Sequence, residues 1–123
     1  MGNNIVHFEI SGQDPPRLRE YYAQLFEWGF DTDSPVAQSV SEAGNYGFLT
    51  TESGIPGGIG GGRGYPTHAI FYVGVDDVGA ALLSAERLGG TRAMGPEKNP
   101  NGQLVVAHFR DPDGNLIGLA GPK

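Results

Sequence analysis

The sequence predicts an α+β fold built from two βαβββ modules in tandem, whose strands form a curved mixed sheet around a cleft and whose helices cover its outer face. A strand pattern followed by a helix pattern occurs twice, and an offset of 61 residues aligns His7 with His68. Twice this offset nearly equals the length of 123 residues. A module of about 60 residues buries too little core to be stable alone, so the two are expected to pair in one domain over residues 1–123. The predicted modules are residues 1–62 and 63–123.

A half-buried strand and a helix open the first module. Residues 5–10 alternate in hydrophobicity, which places His7 and Glu9 on the face away from the helix, inside the expected cleft. Asp14 followed by two prolines is typical of a helix N-terminus. Apolar side chains then recur at helical spacing and are expected to pack on the sheet. They are Leu18, Tyr21, Tyr22, Leu25 and Phe26.

Three weaker strands are predicted to complete the first module after Gly29. They cover residues 30–32, residues 36–40 merging into 46–51, and the glycine-rich residues 55–62. The glycines of the last strand are expected to leave room for a ligand or for another backbone segment. No Gly-Lys-Ser/Thr sequence follows them, which argues against a phosphate-binding loop.

The second module repeats this order. A strand over residues 68–75 places His68 and Tyr72 on the cleft face, and two aspartates then precede a helix that ends before two glycines. The inward residues of this helix are expected to be Val78, Ala81, Leu82, Ala85 and Leu88. Further strands are predicted over residues 91–94, 103–110 and 116–120, with a loop over 94–103 and a tight turn over 111–114.

Composition and charge exclude several classes of protein. The chain has no cysteine, which excludes disulfide frameworks, zinc knuckles and cysteine nucleophiles. Its net charge of −6 repels phosphate backbones and anionic lipid, so neither nucleic acid nor a membrane is an expected partner. No run of about 18 apolar residues and no signal peptide occur, so we expect a soluble, cytoplasmic protein.

Three stretches, in this order on a duplicated βαβββ frame, resemble a known family. They are residues 7–10 (His-Phe-Glu-Ile), residues 26–30 (Phe-Glu-Trp-Gly-Phe) and residues 111–115 (Asp-Pro-Asp-Gly-Asn). The chain resembles the vicinal oxygen chelate superfamily, which contains glyoxalases, bleomycin-resistance proteins and extradiol dioxygenases. The resemblance implies the fold and a two-fold homodimer. Because this fold hosts both enzymes and drug-binding proteins, the function has to be argued from the site.

The resemblance also implies where a metal would bind. In metal-dependent members, the ligands are a histidine in the first strand of each module and an acidic residue in the last strand of at least one. His7 and His68 match the histidine positions, but the acidic position of the second module is Gly118. The corresponding residues 56–60 of the first module hold no ligand either. The sequence is therefore a divergent member without the acidic ligands, and no cofactor is expected.

His108 offers an alternative metal site. If the tight turn holds its predicted register, His108 lies opposite Gly118 and shares its face. His7, His68 and His108 would then suit a divalent transition metal, with Glu9 close enough in sequence to orient one ring. A slip of one residue would turn His108 to the other face.

The remaining candidate residues line the same expected cleft. Glu9 is either a general base or a carboxylate at the solvated rim of the sheet. Because alternate residues of a strand face opposite sides, Tyr72 is expected to face the cleft. Tyr46, Tyr65 and Trp28 are further candidates for an aromatic pocket. The candidate catalytic residues are His7, Glu9 and His68. The candidate ligand-binding residues are His7, Glu9, His68, Tyr72, His108 and Gly118.

Two functions remain open at this point. The first is metal-independent binding of a bulky, aromatic small molecule in the cleft, of the bleomycin-resistance type, in which the protein sequesters a drug. The alternative is an enzyme of the same superfamily. It would be either a lyase or oxygenase with a histidine-rich metal site, or a metal-free catalyst that uses Glu9 or a histidine as base. The missing acidic ligands and the retained aromatic residues favour the first.

Overall fold

The chain folds into two compact units, each of which contains one helix. The computed structural model describes residues 2–49, 54–100 and 102–123. One unit comprises residues 7–69 and is called here the N-terminal unit. The other comprises residues 1–6 together with 70–123 and is called the C-terminal unit. Helices and mixed strand pairing make the fold α+β, as predicted.

Two helices and seven strands occur in the described part of the chain. In order they are β1 (Ile5–Gly12), α1 (Pro15–Phe26), β2 (Gly47–Leu49), β3 (Gly57–Gly61), β4 (His68–Gly74), α2 (Val78–Arg87), β5 (Thr91–Lys98), β6 (Val105–Arg110) and β7 (Leu116–Gly121). Within those described residues, neither helix is both long enough and apolar enough to cross a membrane.

The N-terminal unit contains a short mixed set of strands in the order β2, β3, β1. Strands β1 and β3 are parallel, and β2 is antiparallel to β3. Helix α1 begins where the sequence predicted, because the Asp14 carboxylate accepts a hydrogen bond from the Arg17 backbone N–H at 3.3 Å. It ends at Phe26, and the C-cap residue Glu27 has a left-handed φ of 59°.

Two weak strand predictions in this unit are wrong. Residues 30–32 contribute only an isolated bridge between Asp31 and Phe48, and residues 36–40 lead into a turn. The Asp31 carboxylate accepts hydrogen bonds from the Asp33 N–H and the Ser34 hydroxyl, and this local bonding replaces a strand ladder. Of the strand predicted over residues 46–51, Thr50 and Thr51 lie outside the described residues.

The apolar stripe of α1 is only partly covered, contrary to the prediction. Tyr21, Leu25 and Phe26 are 60%, 55% and 52% exposed. Gly12 and Gly47 lie against α1, since a Cβ atom at these positions would meet Leu18 and Arg19. Tyr22 and Phe26 instead contact Trp28, with ring centroids 5.9 Å and 5.1 Å from its ring.

The C-terminal unit has the predicted βαβββ order and a compact apolar core. Its strands lie in the order β4, β7, β6, β5, with β4 and β7 parallel and the other pairs antiparallel. Val78, Leu82, Ala107 and Leu119 are at most 5% exposed and form the core between α2 and the strands. Leu88 was expected to face inward but is 76% exposed, because the helix ends at Arg87 and Leu88 caps it.

Strand β5 is longer than predicted. It runs to Lys98, so the first half of the loop predicted over residues 94–103 is strand. Register shifts between Arg92 and Met94 and between Met94 and Glu97 accommodate the Gly-Pro pair at residues 95 and 96 as bulges. The glycine at residue 95 has a positive φ of 85°, which suits this irregularity.

The tight turn between β6 and β7 has the predicted residues and register. The Asp111 carboxylate accepts hydrogen bonds from the backbone N–H groups of Asp113 and Asn115, each at 2.9 Å. Gly114 has a φ of 92°, the left-handed conformation that a glycine allows at no steric cost. With the turn fixed in this way, His108 pairs directly with Gly118.

Candidate functional site

Four polar side chains meet on one face of the N-terminal unit. His7 and Glu9 project from the same face of β1, as the alternation of residues 5–10 predicted. His68 reaches them from the start of β4, and Tyr46 from the residue before β2. We call His7, Glu9, Tyr46 and His68 the Glu9 cluster.

The cluster is a continuous chain of hydrogen bonds centred on a buried carboxylate. The Tyr46 hydroxyl lies 3.1 Å from His7 Nε2 and 3.1 Å from Glu9 Oε1. The second carboxylate oxygen, Oε2, lies 2.9 Å from His68 Nε2. Glu9 is only 2% exposed and Tyr46 4%, so the rim position considered for Glu9 is wrong.

Donor counting orients the protons of this chain. The Tyr46 hydroxyl carries a single hydrogen and donates it to Glu9, so the bond with His7 requires a proton on His7 Nε2. His68 completes the set by donating to the other carboxylate oxygen. A carboxylate that accepts at both oxygens has the hydrogen bonding of the ionised form.

Burial makes His7 a weaker base than a free histidine. Loss of solvation lowers the pKa of His7 below its ordinary value of 6.5, and the nearby Glu9 charge only partly offsets this by raising it. The imidazole of His7 is therefore neutral at physiological pH, which agrees with its role as a single N–H donor to Tyr46.

The Tyr46 ring occupies the space that two glycines leave open on β3. A Cβ atom at Gly58 or at Gly60 would overlap this ring. Gly58 is the ladder partner of Glu9, and Gly60 is the partner of Ser11. The glycines of β3 therefore leave space for the side chain of Tyr46. The sequence had predicted that a ligand or another backbone segment would occupy this space.

The C-terminal unit contains a second tyrosine and histidine pair of the same construction. The Tyr72 hydroxyl lies 2.7 Å from His108 Nε2, and both residues are nearly inaccessible to solvent. Both are ladder partners of Gly118, one on each side. A Cβ atom at Gly118 would overlap the Tyr72 ring, so this glycine is required by the tyrosine that covers it.

A family model matches almost the whole chain. The model describes the glyoxalase/bleomycin resistance protein/dioxygenase superfamily and matches residues 4–119. The chain belongs to this superfamily. No curated protein sequence matches it significantly.

Several solved structures share the fold of this chain. A hypothetical protein, BH1468, of Bacillus halodurans C-125 superposes with a TM-score of 0.71 at 14% identity, over 100% of this chain and 96% of that one. Methylmalonyl-CoA epimerase of Streptomyces coelicolor, in complex with 2-nitronate-propionyl-CoA, gives 0.66 at 16% identity over 97% and 94%. A superfamily member from Vibrio splendidus 12B01 gives 0.59 at 16% over 98% and 99%. At these identities the likeness establishes the fold alone.

The residues present do not fit the metal site of metal-dependent superfamily members. Where such a member would hold an acidic ligand in its last strand, this chain has Gly118 under the Tyr72 ring, and Gly58 and Gly60 under the Tyr46 ring. Among residues 2–49, 54–100 and 102–123, no three His, Asp or Glu side chains are arranged to hold a metal ion. We therefore derive no chemical step through a metal.

The structure groups the predicted site residues into two sets. His7, Glu9 and His68 meet in the N-terminal unit, and Tyr72, His108 and Gly118 meet in the C-terminal unit. Two aromatic candidates lie elsewhere in the N-terminal unit, since Trp28 packs on Phe8 and the Tyr65 hydroxyl donates to the Gln38 carbonyl.

Tyr46 is more central to the Glu9 cluster than the sequence predicted. It was one of several aromatic candidates without an assigned direction, yet its hydroxyl joins His7 to Glu9. The signal that identifies it is the neighbouring glycine strand, because alternate glycines such as Gly58 and Gly60 mark a face on which a large ring lies.

Gly118→Ala should destabilise the protein by about 1–3 kcal/mol, because the new methyl group overlaps the Tyr72 ring. Gly29→Ala is the matched control, since a Cβ there meets nothing within 4 Å, and it should change the free energy of unfolding by less than about 0.5 kcal/mol. Urea denaturation measures both. Equal stability of the two variants would show that Tyr72 does not pack on Gly118 as described.

His7 should titrate with a pKa below its ordinary value of 6.5 in an NMR pH titration. Glu9→Gln should lower the pKa of His7 further, because the carboxylate charge that raises it is removed. Since the folded protein binds this proton less readily than the unfolded chain does, the His7 contribution to stability is complete above 6.5 and is lost as the pH falls towards its folded pKa. A midpoint at or above 6.5 would contradict the burial described for His7.

Proposed function

We propose that this chain binds a bulky, aromatic small molecule without a metal ion, as a drug-sequestering protein of the bleomycin-resistance type does. The observation that carries the proposal is the position of the two tyrosine rings. Tyr46 and Tyr72 fill the space above the last-strand glycines, and their hydroxyls bind His7 and His108. The tyrosine rings occupy the space that the acidic ligands of a metal centre would need. The Nε2 atoms of His7 and His108, which could otherwise bind a metal, form hydrogen bonds with the tyrosine hydroxyls.

Aromatic surface beside the Glu9 cluster supports an aromatic ligand. The Phe48 ring centroid lies 4.8 Å from that of Tyr46 and 6.3 Å from that of His7, with interplanar angles of 55° and 57°. Phe48 and His7 are half-buried, so they present ring surface at the edge of the cluster. Such a combination of apolar rings with a few fixed polar groups is typical of small-molecule sites.

A metal-free enzyme is the second candidate, and the Glu9 contacts favour it. The carboxylate is held between the Tyr46 hydroxyl and the His68 imidazole, which is the kind of environment that positions a general base. Methylmalonyl-CoA epimerase of Streptomyces coelicolor has the same fold, which supports proton-transfer chemistry on this scaffold. Binding of a compound without its conversion would support sequestration, and conversion of the bound compound to a product would support the enzyme.

Bleomycin should bind saturably to the protein in the presence of EDTA, measured by isothermal titration calorimetry. Tyr46→Phe should weaken binding by about two- to tenfold, because the two hydrogen bonds by which its hydroxyl positions His7 and Glu9 are lost. Tyr65→Phe is the matched control, since its hydroxyl bonds the Gln38 carbonyl away from the cluster, and it should leave the affinity unchanged.

The outcomes of this titration separate the possibilities. Binding that appears only after zinc, iron or copper is added would contradict the proposal. Loss of the bound compound through conversion to a product would favour the enzyme. Failure of bleomycin and of other aromatic antibiotics to bind would remove drug sequestration as the function.

The proposal includes a cytoplasmic homodimer. The exposed apolar side chains of α1, Tyr21, Leu25 and Phe26, support association because a patch of this kind is commonly covered by a partner. Light scattering should give twice the chain mass of 13.0 kDa, and a monomer at the concentration tested would contradict association.

A further inference from the structure

The C-terminal unit has an apolar groove that takes no part in the proposed function. We propose that this groove is a second small-molecule site, which binds an amphipathic ligand with an aliphatic body and an ammonium group. The groove has a volume of about 470 Å³ and lies within the C-terminal unit alone. We call it the Asp76 groove. Its apolar lining side chains are Val6, Val75, Leu104, Ala120 and Pro122.

Small residues at the end of two paired strands leave the space for the Asp76 groove. Val73 and Leu119 pack in the core under α2, so the next positions, Gly74 and Ala120, face the other side of the sheet. Gly74 and Ala120 are ladder partners and both line the groove. The Val6 side chain lies against Gly74, since a Cβ atom there would meet Val6 Cγ1 at 2.9 Å. The groove therefore has a floor of small residues beside an apolar wall.

The walls of the groove present apolar surface to solvent, and their extent suits a small molecule. Val6 and Leu104 are 40% and 43% exposed. The volume of about 470 Å³ is within the range of about 300–1,000 Å³ that is typical of small-molecule sites. A stable protein partner contacts about 20–30 residues, far more than line this groove. We therefore infer a small ligand with an apolar body.

One carboxylate gives the groove its charge. The two aspartates before α2 have different roles, because the Asp77 carboxylate accepts a hydrogen bond from the Ala80 N–H at 3.0 Å and caps the helix, whereas Asp76 lines the groove. Among the residues that the structure describes, the Asp76 side chain forms neither a hydrogen bond nor an ion pair. The other polar lining side chain, Gln103, is neutral. An ammonium group on a ligand in the groove would therefore be attracted to Asp76.

The positive charges around Asp76 leave this attraction in place. No Lys or Arg of the described residues lines the groove. Lys123 follows the lining residue Pro122, but its side chain forms no ion pair with Asp76 in that part of the chain. The N-terminus of α2 carries a partial positive charge, which the Asp77 carboxylate that caps it offsets.

Three eight-carbon probes of different charge test the inference. They are octylamine, which is an ammonium ion at about pH 7.5, neutral 1-octanol and anionic octanoate. We would titrate each into the whole protein at low ionic strength and follow binding by NMR. The wild-type protein should bind octylamine about three- to fivefold more tightly than 1-octanol, and octanoate most weakly. The expected preference is modest because Asp76 is exposed and solvent screens its charge.

Asp76→Asn tests the source of the charge preference. It should bring the affinities for octylamine and 1-octanol to within about twofold of each other, because the attracting charge is removed. Asp33→Asn is the matched control, since it removes the same charge from an exposed position in the N-terminal unit. It should keep the preference of the wild-type protein.

Leu104→Gln tests the place of binding. It should weaken the binding of octylamine and of 1-octanol by at least about threefold, because the wall loses apolar surface. Leu83→Gln is the matched control, since Leu83 is a 60% exposed residue of α2 outside the groove lining, and it should leave both affinities unchanged. Both leucines are well exposed, so the protein should fold with either change.

The outcomes separate this inference from the proposed function. Equal affinities of the wild-type protein for octylamine and 1-octanol, or a preference that persists in Asp76→Asn, would overturn the ammonium class. Binding that Leu104→Gln leaves unchanged, or failure of all three probes to bind, would overturn the site itself. Tyr46→Phe should leave the octylamine affinity unchanged, because Tyr46 belongs to the N-terminal unit. Failure of aromatic antibiotics to bind would remove the proposed function and leave this inference intact.

Discussion

The packing of the Tyr46 ring on the glycines of β3 is the contact on which the functional face of the N-terminal unit depends. A side chain at Gly58 or Gly60 would displace the ring. Without the ring in this place, its hydroxyl would not reach both His7 and Glu9. The buried carboxylate would then lose a hydrogen bond, at a cost of about 1–3 kcal/mol for an unsatisfied polar group and more for a charged one.

The C-terminal unit also has a tyrosine ring packed on a strand glycine that leaves space for it. Tyr72 covers Gly118 and binds His108 on the neighbouring strand, so the first and last strands of this unit are again joined through a glycine and a tyrosine. The polar set differs, because Tyr46 belongs to a chain of four residues that includes the Glu9 carboxylate. The N-terminal unit therefore combines its tyrosine and histidine contact with a buried carboxylate.

This construction explains how a superfamily fold can keep its histidines while its acidic positions are glycine. An acidic side chain at residue 118 would need the space that Tyr72 fills, so the carboxylate and the tyrosine exclude each other. The histidines remain useful as hydrogen-bonding groups on rigid strands. Glu9 supplies negative charge from the first strand, where the sequence pattern of metal-dependent members does not require it.

Alternation of side chains, helix caps and turn residues were sufficient to predict most of the fold. Periodicity placed His7 and Glu9 on one face of β1, Asp14 marked the start of α1, and the Asp-Pro-Asp-Gly turn set His108 opposite Gly118. These features depend on residues close together in the chain. The strand expected over residues 30–32 failed because local hydrogen bonds of Asp31 competed with weak strand propensity. The strand expected over residues 36–40 is wrong because this segment leads into a turn, in which the Val40 N–H donates to the Ala37 carbonyl.

What the sequence by itself determined is therefore the α+β class, the caps, the turn and the face on which each strand residue lies. Tertiary structure alone decided that Glu9 is buried, that Tyr46 links it to His7, and that the glycines of β3 receive aromatic rings. The physical reason is distance along the chain. Tyr46 is 37 residues from Glu9, and His68 is 59 residues from it. Contacts over such separations depend on strand pairing and ring packing, which no local pattern encodes.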